Sequence, residues 1–379
     1  MERRKFIKYG TLAGTSFTFA GCNAKKSDPQ SVVSPGASPI VANEPIKVGF
    51  VYVRPVGDFG WTYAHDLGRR EMEANLQNKV KTTFVENVNA GADAERVIRQ
   101  LALDGNKLIF TTSFDYMNPT IKVAKDFPNV FFEHCTGYKR VQNVGTYLGR
   151  FEEPRYLTGM IAGKMTKTNV IGFIGAFPIP EVIRGIGAFT QGLRATNPQA
   201  TVKVIWVQSW YNPPKEREAA QALANLGADV LTQHTDSAAA VQLADEKGIY
   251  AFGCNTDMSK YGPKAHLTSA INKWGKFYTD KVLAVINGSW KSENVWYGIA
   301  REMVDISALN QVIPEDVQQL VMAKREEFVK GTAHPFDGPV RDQKGVLRVS
   351  PGKVLDDKGQ LGMDWYVEGI EGSIPKART

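Results

Sequence analysis

Several residue types that chemistry depends on are scarce in this chain. It has 3 cysteines and 5 histidines among 379 residues. The histidines, His65, His134, His234, His266 and His334, form no HxH, HExxH or HxxxH pairing, so spacing offers no metal site. No G-x-S-x-G elbow, Walker A or G-x-G-x-x-G stretch is present, and no pair of carboxylates is set up for glycosidase work. These absences argue against an enzyme and against a bound cofactor. No run of five or more basic residues marks a nucleic-acid track, although the formal net charge is +7. Part of that charge sits at the extreme N terminus, in Arg3, Arg4, Lys5 and Lys8.

Residues 1–22, MERRKFIKYGTLAGTSFTFAGC, combine a basic start, a short weakly apolar stretch and a small-residue exit. They read as an export signal, too short to span a bilayer permanently. Arg3-Arg4-Lys5-Phe6-Ile7-Lys8 resembles a twin-arginine signal. Phe19-Ala20-Gly21-Cys22 resembles a bacterial lipoprotein box in which Cys22 becomes the lipidated first residue, with Phe19 where Leu is usual. An ordinary cleaved signal with an incidental cysteine is the competing reading. Residues 23–43 are rich in Ser, Pro, Ala, Asn and Lys and are expected to form a flexible tether. Cys135 and Cys254 each end an apolar strand-like run, in different halves of the chain, and are expected as free, buried thiols.

The remaining sequence, in a chain with 43% apolar residues, suffices for a large core in two or three domains. It opens with Ile46, Val48, Phe50, Val51 and Val53, the mostly apolar, β-branched pattern of a strand buried on both faces. Pro55 and Gly57 punctuate it. From Gly60, Trp61, Ala64, Gly68, Met72 and Leu76 recur at helical spacing. The turn between carries Asp58, Phe59 and Trp61, a carboxylate beside aromatics, which suits a flat hydrogen-bonding heterocycle. A phosphate would want glycines and bare backbone N–H groups. Strands and helices alternate onward, as βαβ units of a parallel sheet do. After a helix at 153–165 the same grammar begins again at Asn169. The expected organisation is a first lobe (44–150), a hinge helix and crossover (151–168), a second lobe (169–275) and a return segment with a C-terminal tail (276–379). The fold class is α/β: two Rossmann-like lobes with parallel sheets joined by a hinge.

Certain stretches carry a family resemblance. GDFGWTYAHDLG at 57–68, SFDYMNP at 113–119, GMIAGKMTKTNVIGFIGAFPIPEVIRGIGAFTQGLRATNP at 159–198, SWYNPPKEREAA at 209–220, GCNTDM at 253–258, HPFDGPV at 334–340 and MDWYVEGIEGSIP at 363–375 resemble the basic membrane lipoprotein family. Its members include purine-nucleoside-binding subunits of ABC importers, with the type I periplasmic-binding-protein fold. The resemblance implies that Asp58 and Trp61 are an acidic residue and a base-stacking aromatic of the site. It likewise implies that Asp115 lies near a ribose-binding carboxylate, that Trp210 is the second stacking aromatic, and that Asp257 is a second-lobe ligand. Where nucleoside-binding members place a sugar-clamping Lys, this chain has Asn272, followed by Lys273 and Trp274. That departure makes a free nucleobase a competitor of the nucleoside.

The full candidate set follows strand ends: Asp58, Phe59, Trp61, Ser113, Asp115, Phe177, Trp210, Asp236, Asn255, Asp257, Asn272 and Trp274. A purine cleft needs two π-faces, groups that read the ring edge, and closure against water. Each Asp also fits a helix N-cap, and each Trp also fits core packing. His234, in TQHTDS beside Asp236, is the one arrangement that suggests acid–base work; a ligand-facing or packing histidine competes with it. The expected function is an ABC importer subunit that captures a purine nucleobase or nucleoside and hands it to a permease and its ATPase. It is expected as a monomer, lipid-anchored to the outer face of a bacterial inner membrane. A ligand sensor reporting to a membrane receptor and an exported nucleoside-processing enzyme are the alternatives.

Overall fold

The structure, a computed structural model, describes residues 44–375. The expected signal, tether and Cys22 lie outside the described residues. The first series runs β1 (Ile46–Val51), α1 (Gly60–Leu76), β2 (Val80–Val85), α2 (Ala92–Leu103), β3 (Leu108–Thr111), α3 (Met117–Asp126), β4 (Phe131–Cys135) and β5 (Val144–Gly149). The chain crosses through α4 (Glu152–Met165) into β6 (Val170–Gly175), α5 (Pro180–Thr196), β7 (Thr201–Trp206), α6 (Pro213–Asn225), β8 (Val230–His234), α7 (Ala239–Lys247), β9 (Tyr250–Asn255) and β10 (His266–Asn272). It then returns through α8 (Gly275–Ile286) and β11 (Asn294–Tyr297), and crosses again to β12 (Val304–Ile306) and α9 (Glu315–Lys330). The tail adds β13 (Val340–Arg341), β14 (Leu347–Val349), α10 (Asp357–Leu361) and β15 (Ile370–Glu371).

Two sheets result. The first has the order β11-β5-β4-β3-β1-β2, with every neighbouring pair parallel. The second has the order β12-β10-β9-β8-β6-β7-β15, where β12 is antiparallel to β10. Each sheet is covered on both faces, which is why central strands such as β3 and β8 are buried at every residue. In the first sheet, Phe50, Leu108 and Phe110 face α1 and α8, while Val51, Ile109 and Phe132 face α2 and α3. In the second, Phe173, Val230 and Phe252 pack with α4, α5 and α9, while Ile174, Leu231 and Ala251 pack with α6 and α7.

Two glycines let α4 and α5 touch backbone to backbone. A Cβ on Gly159 would overlap the Phe189 carbonyl, and one on Gly192 the Tyr156 carbonyl. The tail contributes Phe336, Val340, Val349, Met363, Tyr366 and Val367 to the core of the second sheet. Their apolar side chains are separated by turns and follow no helical or strand period, so periodicity does not reveal them. Cys135 and Cys254 are both buried, each in its own sheet. Among the described residues no helix is long and apolar enough to cross a membrane.

Candidate ligand-binding site

In the first sheet β1 lies between β2 and β3, and in the second β6 lies between β7 and β8. The connections leaving β1 and β6 therefore diverge from those leaving β3 and β8. Open α/β sheets bind ligands in the crevice this creates at the carboxyl ends of the strands. Here the two crevices face each other and are joined by hydrogen bonds. Gly60 N donates to Thr256 Oγ1 at 3.0 Å, and Trp61 N donates to Asp236 Oδ1 at 3.0 Å.

Asp236 is the polar centre of this junction. Its Oδ1 also accepts from Asn255 Nδ2 at 2.7 Å, and Asn255 Oδ1 accepts from Asn272 Nδ2 at 3.0 Å. Among the described residues no hydrogen bond reaches Asp236 Oδ2. Burial pushes the Asp236 carboxyl up to about 6, against the lowering effect of the Asn255 and Trp61 donors; Glu216 raises it further and Arg54 lowers it. Asp236 N donates to Trp210 O at 2.9 Å. The residue is thus tied to Trp61 by its side chain and to Trp210 by its backbone.

Aromatic surface stands on each side. Trp61 Nε1 donates to Thr112 O at 2.6 Å, fixing its ring over the end of β3. The Trp61 ring lies edge-on to His65 at 4.6 Å and to Trp274 at 5.8 Å. On the other side Phe177 and Trp210 lie 5.3 Å apart, and Trp210 is 6.2 Å from His234. His65 stacks on Trp274 at 4.8 Å and shares its Nδ1 with Tyr278 OH at 2.5 Å. Its Nε2 and the Trp274 Nε1 are buried beside Trp61 without a partner among the described residues. Burial pushes the His65 imidazole well below its usual range.

The other candidates are placed differently. Asp58 is exposed and ion-paired with Lys260 at 2.6 Å, and Phe59 lies edge-on to Tyr261 at 5.1 Å. This pair of contacts ties the β1–α1 turn to the β9–β10 connection. Asp115 and Asp257 are exposed as well, Asp257 accepting from Ser259 N at 2.8 Å. Trp274, one of the candidates, is 1% exposed and belongs to the core of the first sheet. Ser113 and Phe177 are partly buried, and Trp210 is 37% exposed. His234 makes no hydrogen bond to Asp236. It is buried with Nε2 4.0 Å from Glu181, and burial, then Arg155 and Arg184, pushes its imidazole well below the usual range.

Three participants carry no local signal in the sequence. Thr256 reaches across to Gly60, as described above. Arg155, fully buried, donates to Gln233 O at 2.6 Å, to Thr232 Oγ1 at 3.2 Å and to Cys254 Sγ at 3.0 Å, holding the ends of β8 and β9 together. Glu216 is the third, buried behind the Asp236 loop.

Comparison with known proteins agrees with this architecture. Residues 46–334 match the Bmp family, ABC transporter substrate-binding protein PnrA-like. A purine-binding protein of Brucella abortus is 49% identical over 335 residues, covering 88% of this chain and 95% of that protein. A Haloferax volcanii protein, provisionally named an ABC transporter glucose-binding protein, is 36% identical over 88% of this chain and 82% of its own length. The solved ABC transporter solute-binding protein of Conexibacter woesei shares the fold with a TM-score of 0.65 and 22% identity, over 76% of this chain and 98% of that one. With its paired parallel sheets and facing crevices, this chain belongs to the Bmp family of PnrA-like ABC transporter substrate-binding proteins.

Proposed function

We propose that the space around Asp236 captures a purine, the free base in preference to its nucleoside, for delivery to an ABC permease and its ATPase. The observation that carries this reading is the Asp236 carboxylate, set between Trp61 and Trp210 with Oδ2 unengaged among the described residues. A partly buried acceptor reads a ring N–H, and flanking aromatics supply stacking surface for a planar heterocycle. The preference for a base follows from the sugar groups. Asp115 and Asp257, the expected partners of the sugar, stand exposed, and Asn272, in place of a sugar-clamping Lys, donates its Nδ2 to Asn255 Oδ1. The 49% identical Brucella relative named for purine binding supports the purine.

In this reading the halves 44–150 and 169–275 close over the ligand about the crossings at 151–168 and in the return segment. The protein acts as a monomer without turnover, held by a lipid on Cys22 at the outer face of the inner membrane. Calorimetric titration with adenine, adenosine, guanine, guanosine and glucose tests the ligand. Adenine is expected to bind at least about tenfold tighter than adenosine, a gap of roughly 1.4 kcal/mol. A nucleoside ahead of its base by that margin would restore ribose recognition. Cys22→Ser is expected to move the protein from the membrane fraction to the soluble fraction of the producing cell; retention at the membrane would sink the anchor assignment.

A further inference from the structure

Behind the ligand-facing loops lies a carboxylate that touches neither the cleft nor solvent. Glu216, in the first turn of α6, is 0% exposed. Its Oε1 accepts from Asn212 N at 2.8 Å, and its Oε2 accepts from Ser237 N at 3.0 Å and from Ser237 Oγ at 2.6 Å. The first bond is a reciprocal helix cap: Asn212 Oδ1 accepts from Lys215 N at 3.1 Å while Glu216 reaches back. Capping α6 accounts for one oxygen. The other leaves the helix for the loop after β8.

Asn212 lies two residues beyond Trp210, and Ser237 directly follows Asp236. Glu216 therefore grips the aromatic-bearing and the carboxylate-bearing loops at once, one with each oxygen. The backbone bond from Asp236 N to Trp210 O joins the same two loops on the ligand side. We infer that Glu216 is a positioning residue for the ligand site: its single buried carboxylate sets the spacing between Trp210 and Asp236. This rests on the assignment of Asp236 to the ligand.

The geometry has an electrostatic consequence. The charged and titratable groups acting on Asp236 are Glu216 of α6, which raises its carboxyl, and Arg54 of the β1–α1 turn, which lowers it. Beside these, the Cys254 thiol of β9 is raised by burial and, to a lesser degree, by Asp236. A ligand N–H is accepted by the ionised carboxylate, so affinity falls as pH drops through the Asp236 midpoint. Neutralising Glu216 removes a nearby negative charge and moves that midpoint down.

The test is calorimetric titration of the full chain with adenine between about pH 5 and about pH 8, a range that brackets a raised carboxylate. Glu216→Gln is expected to weaken adenine binding roughly five- to tenfold at neutral pH, because an amide cannot accept on both sides, and to shift the pH midpoint of affinity downward. Ser237→Ala, which removes one bond and keeps the charge, is expected to cost a few-fold in affinity and leave the midpoint in place. If Glu216→Gln does not fold, Ser237→Ala decides the positioning role alone. Wild-type affinity and midpoint in the folded variants overturn the inference. Asp236→Asn separates the two levels. If it binds weakly and without the pH midpoint, the cleft assignment stands whatever Glu216 does; if it binds as wild type, the cleft assignment itself fails.

Discussion

Asp236→Ala is expected to bind adenine about 30- to 1000-fold more weakly than the native protein, a loss of roughly 2–4 kcal/mol. Two contributions add. A hydrogen bond from a ring N–H to a carboxylate is among the stronger kind, on the order of 1.5–3 kcal/mol net. The substitution also strips the acceptor from Asn255 Nδ2 and Trp61 N, and the latter bond spans the two sheets. Closure of the cleft thus loses a contact at the same moment as the ligand. Unfolding without ligand should change little by comparison, because a carboxylate pushed up to about 6 by burial contributes no stability in its ionised form at neutral pH. Calorimetry with adenine, alongside chemical denaturation of the free protein, checks both halves. An affinity within threefold of native, on the order of 0.6 kcal/mol, would falsify the assignment of Asp236 to the ligand.

The second large effect is on stability. Lys281→Met is expected to destabilise the fold by up to about 3–5 kcal/mol in mild alkali, the usual cost of leaving one member of a buried ion pair alone. Lys281 of α8 lies 3.1 Å from Glu133 of β4 and 3.2 Å from Glu293, and Trp290 Nε1 donates to Glu133 at 2.9 Å. Glu133 is wholly buried, and burial raises its carboxyl to about 7 despite Lys281. The sign of the pH dependence follows. A carboxyl raised in the folded state binds its proton more tightly there than in the unfolded chain. Its contribution therefore weakens stability as pH climbs from the ordinary carboxylate range to about 7, then levels off.

Without Lys281 the folded-state carboxyl rises further, so the decline continues above neutrality. The deficit of the variant should be largest in mild alkali and shrink towards acid, where Glu133 is protonated in both proteins. Urea unfolding on either side of neutrality measures this directly. A deficit that does not vary with pH would mean that lost side-chain packing, and not the stranded carboxylate, dominates. Glu133→Leu combined with Lys281→Met should recover most of the loss, since replacing both members of a buried pair by apolar groups is often neutral.

Much of the architecture was legible without coordinates. The β-branched run from Ile46, the helical recurrence of Ala64, Gly68 and Met72, and the restart at Val170 follow local periodicity, which both sheets obey because each is covered on two faces. Family motifs spread from residue 57 to residue 375 pointed to the same two-part organisation.

The site was less legible, because identical local signals had different outcomes. Asp58, Asp115, Asp236 and Asp257 all follow apolar strands within a few residues, and nothing in their neighbourhoods separates them. Asp236 meets Trp61 across 175 residues of chain, while Asp58 is drawn to Lys260 across 202. Arg155 in EEPR and Glu216 in KERE look like solvated charge on helix surfaces, yet both are fully buried. Trp61 and Trp274 both stood among the candidates, and one stands at the cleft while the other lies in the core. Secondary structure depends on interactions within a few residues, which a sequence displays. Burial and the pairing of distant carboxylates depend on strand order and on which sheet faces meet, and only the tertiary structure decides those.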